Sequence, residues 1–92
     1  MNLRLVPASG RAIVITRDQV VVGRDPTCEV VVNDPSISRR HARLVRQGDE
    51  WTVVDEGSSN GTFVNSRRIT TAQVSQGQEL RFGTAGFRVE IM

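Results

Sequence analysis

Short apolar runs, most of them β-branched and each closed by turn formers, recur along the chain. No segment of about a dozen residues carries the three-to-four spacing of an amphipathic helix. Leu3 and Leu5 alternate with Asn2 and Arg4, which predicts a first strand ended by Pro7 and Ser9-Gly10. Residues 12–15 and 19–22 lie either side of Arg17-Asp18 and predict a hairpin. Further strands are predicted over 29–32, 42–46, 51–55, 62–64, 67–69, 79–82 and 87–91, with turns at Asn33-Asp34-Pro35, Gln47-Gly48, Glu56 to Gly61, Asn65-Ser66 and Gly83 to Gly86. About ten short strands without a helix predict an all-β sandwich or barrel. Trp51, Phe63, Phe82 and Phe87 are the only aromatics, so Val, Ile and Leu must fill most of the core.

Composition narrows the function. Ninety-two residues are read as one domain, 1–92, with no linker, repeat or low-complexity tract. A net charge of +2 and the lack of an aromatic stacking platform argue against nucleic acid. No apolar run approaches a membrane span, and no secretory signal opens the chain, so no membrane partner is expected and the cytoplasm is the expected compartment. Cys28, the single cysteine, has no Cys or His at ligand spacing and reads as a small buried filler; neither a metal nor a cofactor is expected. All twelve basic residues are arginine, whose flat fork suits phosphate, although a coding bias is the better explanation of the choice.

Chemistry concentrates in three loops at strand ends. Pro35 to Leu44 holds Ser36, Ser38, Arg39, Arg40 and the only histidine, His41. Hydroxyls and guanidiniums supply donors without an obligatory acceptor, and a phosphate is their natural complement. Gly23-Arg24 and Gly57-Ser58-Ser59-Asn60-Gly61-Thr62 are the other two. Taken singly, each has a plain reading: Asn60-Gly61 is a type I′ hairpin signal, Gly23 ends a strand, Arg24 is a solvated charge and His41 is structural. Alternation would turn Arg40 away from whatever Arg39 faces, unless the loop continues that far.

Together, Gly23-Arg24, Ser38-Arg39-Arg40-His41-Ala42 and Gly57 to Asn65 resemble the forkhead-associated (FHA) domain, over about residue 20 to the strand at 80–82. The resemblance implies an eleven-stranded β-sandwich with binding loops at one end, and phosphothreonine-peptide binding there. It gives Arg24, Ser38 and Ser59 to the phosphate, Arg39 as a further donor, and Asn60 to the peptide backbone. Gly23, His41 and Gly61 become framework. The implied partner is a phosphothreonine-containing protein segment, bound by a monomer of a kind usually found within longer polypeptides, and no catalysis is implied.

Two departures from the family pattern stand out. Ser66 follows Asn65 where many relatives have glycine, which puts the turn geometry in question. The loop at 33–37 offers Ser36 rather than a charge, and Gly83-Thr84-Ala85-Gly86 is small and uncharged, so a weak or apolar preference is expected three places after the phosphothreonine. Two rival functions remain. One is hydrolysis by a Ser38–His41 pair, which lacks an evident acid and oxyanion hole. The other is a phosphate-independent scaffold that binds through a sheet face.

Overall fold

Alternation sorts the residues into layers. In β1 (Leu3–Pro7), Leu3 and Leu5 are fully buried while Arg4 and Val6 are partly exposed, the two-residue period of a strand with one dry face. The same period runs through β5 (Ala42–Gln47), β6 (Glu50–Asp55), β10 (Glu79–Phe82) and β11 (Ala85–Ile91). The computed structural model describes residues 1–92, with eleven strands and no helix. The remaining strands are β2 (Ile13–Ile15), β3 (Gln19–Gly23), β4 (Val30–Val31), β7 (Thr62–Val64), β8 (Arg67–Ile69) and β9 (Thr71–Val74).

Two sheets face each other. One has six strands in the order β2-β1-β11-β10-β7-β8, and the other has five in the order β4-β3-β5-β6-β9. Leu3, Leu5, Leu80, Phe82 and Val89 from the first pack against Val22, Leu44, Trp51, Val53 and Val74 from the second, all almost wholly excluded from water. The all-β sandwich expected from the sequence is therefore the observed architecture.

Three local expectations are corrected. The runs at 12–15 and 19–22 are not a hairpin: β2 pairs with β1 in one sheet, whereas β3 pairs with β4 and β5 in the other. Burial explains the split. Val20, Val21 and Val22 are all buried, which demands a place between two neighbours. Val14 is 52% exposed, which suits the edge that β2 occupies. Strand β9 was not expected, because Thr-Ala-Gln-Val carries one large apolar residue, Val74, and only that one is buried. Finally, the two-residue turn with positive φ throughout is at Asn65 (48°) and Ser66 (67°), joining β7 to β8. Between residues 60 and 61 only Gly61 has positive φ. The serine that replaces glycine thus keeps the type I′ geometry, at the steric cost of a side chain in the left-handed region.

Candidate functional site

The loops 24–29, 32–41 and 56–61 meet the turn at 83–84 at one end of the sandwich. Strands β3 and β5 are neighbours, so the loops leaving one and entering the other run side by side. Arg24 N–H donates to the Ser38 carbonyl (3.1 Å), Asp25 N–H to that of Arg39 (3.1 Å), and His41 N–H to that of Val22 (2.8 Å). This approach explains Gly23: a Cβ there would lie 1.9 Å from the Arg39 carbonyl oxygen and 2.9 Å from Cys28 Sγ. No side chain fits.

His41 locks the second loop to the third. Its ring is fully buried, edge-on to Phe82 with centroids 5.8 Å apart. Nδ1 accepts the Ser38 N–H (3.1 Å), so the ring proton is on Nε2, which donates to the Gly61 carbonyl (2.8 Å). Both nitrogens are committed to backbone, and neither serves the Ser38 hydroxyl as a base. Ser38 Oγ instead accepts the Ser59 N–H (3.1 Å). That bond uses a lone pair and leaves the hydroxyl proton free to donate outwards.

Asp55 shapes the third loop. Its carboxylate accepts from the hydroxyls of Ser58 and Thr62 and from the N–H groups of Gly57 and Ser58. Burial works to raise its pKa, but the hydrogen bonds from Ser58 and Thr62 outweigh burial and hold the carboxyl below the usual range. Asn60, exposed at the tip, donates one amide N–H to the Ser36 carbonyl (2.8 Å) and keeps the rest of its amide free.

Ser36 is a junction. Its Oγ donates to Asp34 Oδ1 (2.6 Å) and accepts the Thr84 N–H (2.9 Å), while its carbonyl takes Asn60. Those Ser36 hydrogen bonds, from side chain first and then backbone, hold the Asp34 carboxyl below its ordinary value. Gly83 comes so close that a Cβ would sit 2.6 Å from the Ser36 carbonyl and hydroxyl oxygens. Asp34, Asp55, Ser36 and Thr84 are the members of this end that sequence reasoning missed as a network. Asp34-Pro35-Ser36 had a local signal, an acid two residues before a hydroxyl, whereas the Thr84 partner lies 48 positions away.

Arg24 Nε donates to the Ile37 carbonyl (3.0 Å), which aims the guanidinium and leaves its terminal nitrogens unbound. Arg24, Arg39, Ser59 and Asn60 are exposed and Ser38 is half-buried, whereas Gly23, His41 and Gly61 are buried. Four of the five expected contact residues, Arg24, Ser38, Ser59 and Asn60, are tied by hydrogen bonds into these adjoining loops. Arg39 joins through its carbonyl, and its guanidinium makes no hydrogen bond or ion pair. Arg40 is equally exposed, since the loop continues to His41 before β5 begins.

The aspartates of this end are engaged by their own loops, while Glu29 accepts the Val21 N–H and Glu56 lies 3.9 Å from Arg43. Asp25 accepts from Thr27, Asp34 from Ser36 and Asp55 from its own loop. The Thr27 backbone bond, ahead of its hydroxyl, keeps the Asp25 carboxyl below the usual range. Asp25, Asp34 and Asp55 thus serve as loop braces, and none forms a close ion pair with Arg24 or Arg39.

The family model described as "FHA domain" matches residues 20–83. The chain is 36% identical over 77 residues to an oxoglutarate dehydrogenase inhibitor of Corynebacterium jeikeium, covering 84% of this chain and 54% of the relative. It is 40% identical over 76 residues to the FHA domain-containing protein FhaB of Mycobacterium tuberculosis, covering 82% and 49%. It therefore spans about half the length of these curated relatives. Among solved structures, EmbR of M. tuberculosis, in complex with a low-affinity phosphopeptide, superposes with a TM-score of 0.92 at 28% identity. That match covers 98% of this chain and 24% of EmbR. An FHA domain studied for its phosphothreonine-dependent interactions superposes with a TM-score of 0.91 at 26% identity, covering 100% and 98%.

Proposed function

This chain belongs to the FHA family, a family of phosphopeptide-binding modules, and we propose that its loop end captures a phosphothreonine segment of a partner protein through Arg24, Ser38, Arg39, Ser59 and Asn60. One observation supports the reading: donors on adjoining loops are left without protein acceptors, while the carboxylates of Asp25, Asp34 and Asp55 are engaged by their own loops. The Arg24 terminal nitrogens, the Ser38 hydroxyl proton and the free Asn60 amide group meet this condition. A phosphothreonine brings a charge of roughly −1.5 to −2 and three acceptor oxygens. Arg24 takes the charge, Ser38 and Ser59 reach the oxygens, Arg39 adds long-range attraction, and Asn60 fixes the adjacent peptide backbone. Gly23, His41 and Gly61 hold these groups in place.

Charge-assisted hydrogen bonds contribute about 1.5–3 kcal/mol each. Three or four of them, less the cost of association and peptide ordering, leave roughly micromolar affinity. That suits reversible recruitment. No reaction is assigned, because His41 has no nitrogen to spare for a nucleophile. Residues 1–92 act as one monomeric module in the cytoplasm, where the buried Cys28 stays a thiol. The names of relatives, an oxoglutarate dehydrogenase inhibitor and a glycogen accumulation regulator, support a partner in metabolic control.

The test is calorimetry with matched threonine and phosphothreonine peptides. Binding of the phosphorylated peptide alone, lost in Arg24→Ala and Ser38→Ala proteins that still fold, is the expected result. Equal affinity for both peptides would favour a phosphate-independent scaffold, and normal binding by the Arg24 variant would move the site elsewhere.

A further inference from the structure

Beside the loop end, on the outer face of the six-stranded sheet, two arginines flank an aromatic ring. Arg68, Phe63 and Arg81 lie in register across β8, β7 and β10. Leu80 and Phe82 point into the core, so Arg81 between them points out. The Arg81 guanidinium stacks over the Phe63 ring, 3.9 Å from its centroid, and is braced by a hydrogen bond to the Gly83 carbonyl (2.7 Å). On the other side, Arg68 Nε and Phe63 Cε1 lie 2.8 and 3.1 Å from the point where a Gly61 Cβ would be. The glycine leaves the space that the Arg68 side chain crosses.

Neither guanidinium has an acidic partner. Glu79, one pleat further along β10, pairs with neither, and Glu90 is taken by Arg4 and Arg88. Like charges gathered round one ring repel each other, and a docked anion relieves that repulsion. The platform is continuous with the loop end, because Gly61 and Gly83 are hydrogen-bonded to each other (2.9 Å) and each touches one arginine.

We propose that Arg68 and Arg81 form a second subsite that binds acidic side chains flanking the phosphothreonine of the same partner segment. The inference rests on the loop-end reading above. Phe63 lies four positions after Ser59, at most about 13 Å of extended chain, so the acidic residues fall within about four positions of the phosphothreonine. Partially exposed pairs of this kind each change affinity by roughly two- to five-fold.

Three peptides test it on the full chain by fluorescence anisotropy: a phosphothreonine peptide flanked by glutamates, the same peptide with alanines, and the glutamate peptide without phosphate. The glutamate phosphopeptide binds about 4- to 25-fold tighter than the alanine one at low salt, and about 0.5 M salt erodes the difference. Arg68→Gln and Arg81→Gln each remove part of that advantage and leave the alanine phosphopeptide unaffected. Arg68→Gln, at an exposed residue, decides the matter if Arg81→Gln melts early. Equal affinity for the two phosphopeptides overturns the subsite and leaves the loop end standing. Failure of both phosphopeptides to bind overturns the loop-end reading, and the subsite with it. Equally tight capture of the glutamate peptide without phosphate shows an independent anion site and overturns the proposal as stated.

Discussion

Replacing His41 by alanine tests whether one buried ring organises the loop end. The substitution removes the acceptor of the Ser38 N–H and the donor to the Gly61 carbonyl. The Gly61 oxygen keeps the Gly83 N–H, but the Ser38 N–H has no other partner, and stranding such a group costs about 1–3 kcal/mol. The ring also leaves a void beside Phe82, and large-to-small changes in packed interiors cost about 2–5 kcal/mol. Allowing for partial collapse, the loss is about 3–5 kcal/mol, a large share of the 5–15 kcal/mol that holds a typical domain together. In a chain of this size that lowers the melting midpoint by roughly 15–30 °C. Urea titration should show a lower midpoint with an unchanged slope, and the folded fraction should bind phosphopeptide at least about tenfold more weakly, because Ser38 is no longer fixed. A melting temperature within about 5 °C of the parent would refute the reasoning.

Three further outcomes follow from the geometry. Ser66→Gly relieves a side chain at φ 67° and should stabilise the fold by about 0.5–1 kcal/mol, read as a higher urea midpoint; a lower midpoint would mean the left-handed turn carries no strain. Gly23→Ala forces a Cβ to 1.9 Å from the Arg39 carbonyl and should both destabilise the domain and abolish binding, whereas a variant that binds normally would contradict the close approach of the two loops. The Asp55 carboxyl is depressed in the folded state, so its contribution is complete above the unfolded value of about 3.9 and is lost as pH falls through the lower folded value. Urea midpoints measured from pH 7 down to pH 3 should therefore fall below about pH 4, and Asp55→Asn should be less stable at pH 7 with a flatter acid limb.

What the sequence disclosed follows from what is local in it. The strands at 3–7, 42–47, 50–55 and 85–91 are legible because alternation is a property of consecutive residues. The partner of a strand is not, which is why 12–15 and 19–22 looked like a hairpin although they lie in opposite sheets. The motifs singled out Arg24, Ser38, Ser59 and Asn60, and the structure places them on loops joined by hydrogen bonds. The bonds from Thr84 to Ser36 and from Arg81 to Gly83, and the stacking of Arg81 on Phe63, depend on the register between strands. Alternation places residues on a face without telling which neighbours they meet. Asn60-Gly61 misled for a related reason: the dipeptide favours a tight turn wherever it occurs, and here the long loop braced by Asp55 overrides it.

The Ser36–Thr84 bond joins a loop of the five-stranded sheet to a turn of the six-stranded one, so the proposed binding surface lies across the seam between the layers. An occupant seated there would clamp both halves against sliding past each other. The expected sign is remote: backbone amides in β1 and β9 should exchange with solvent more slowly when a peptide is bound.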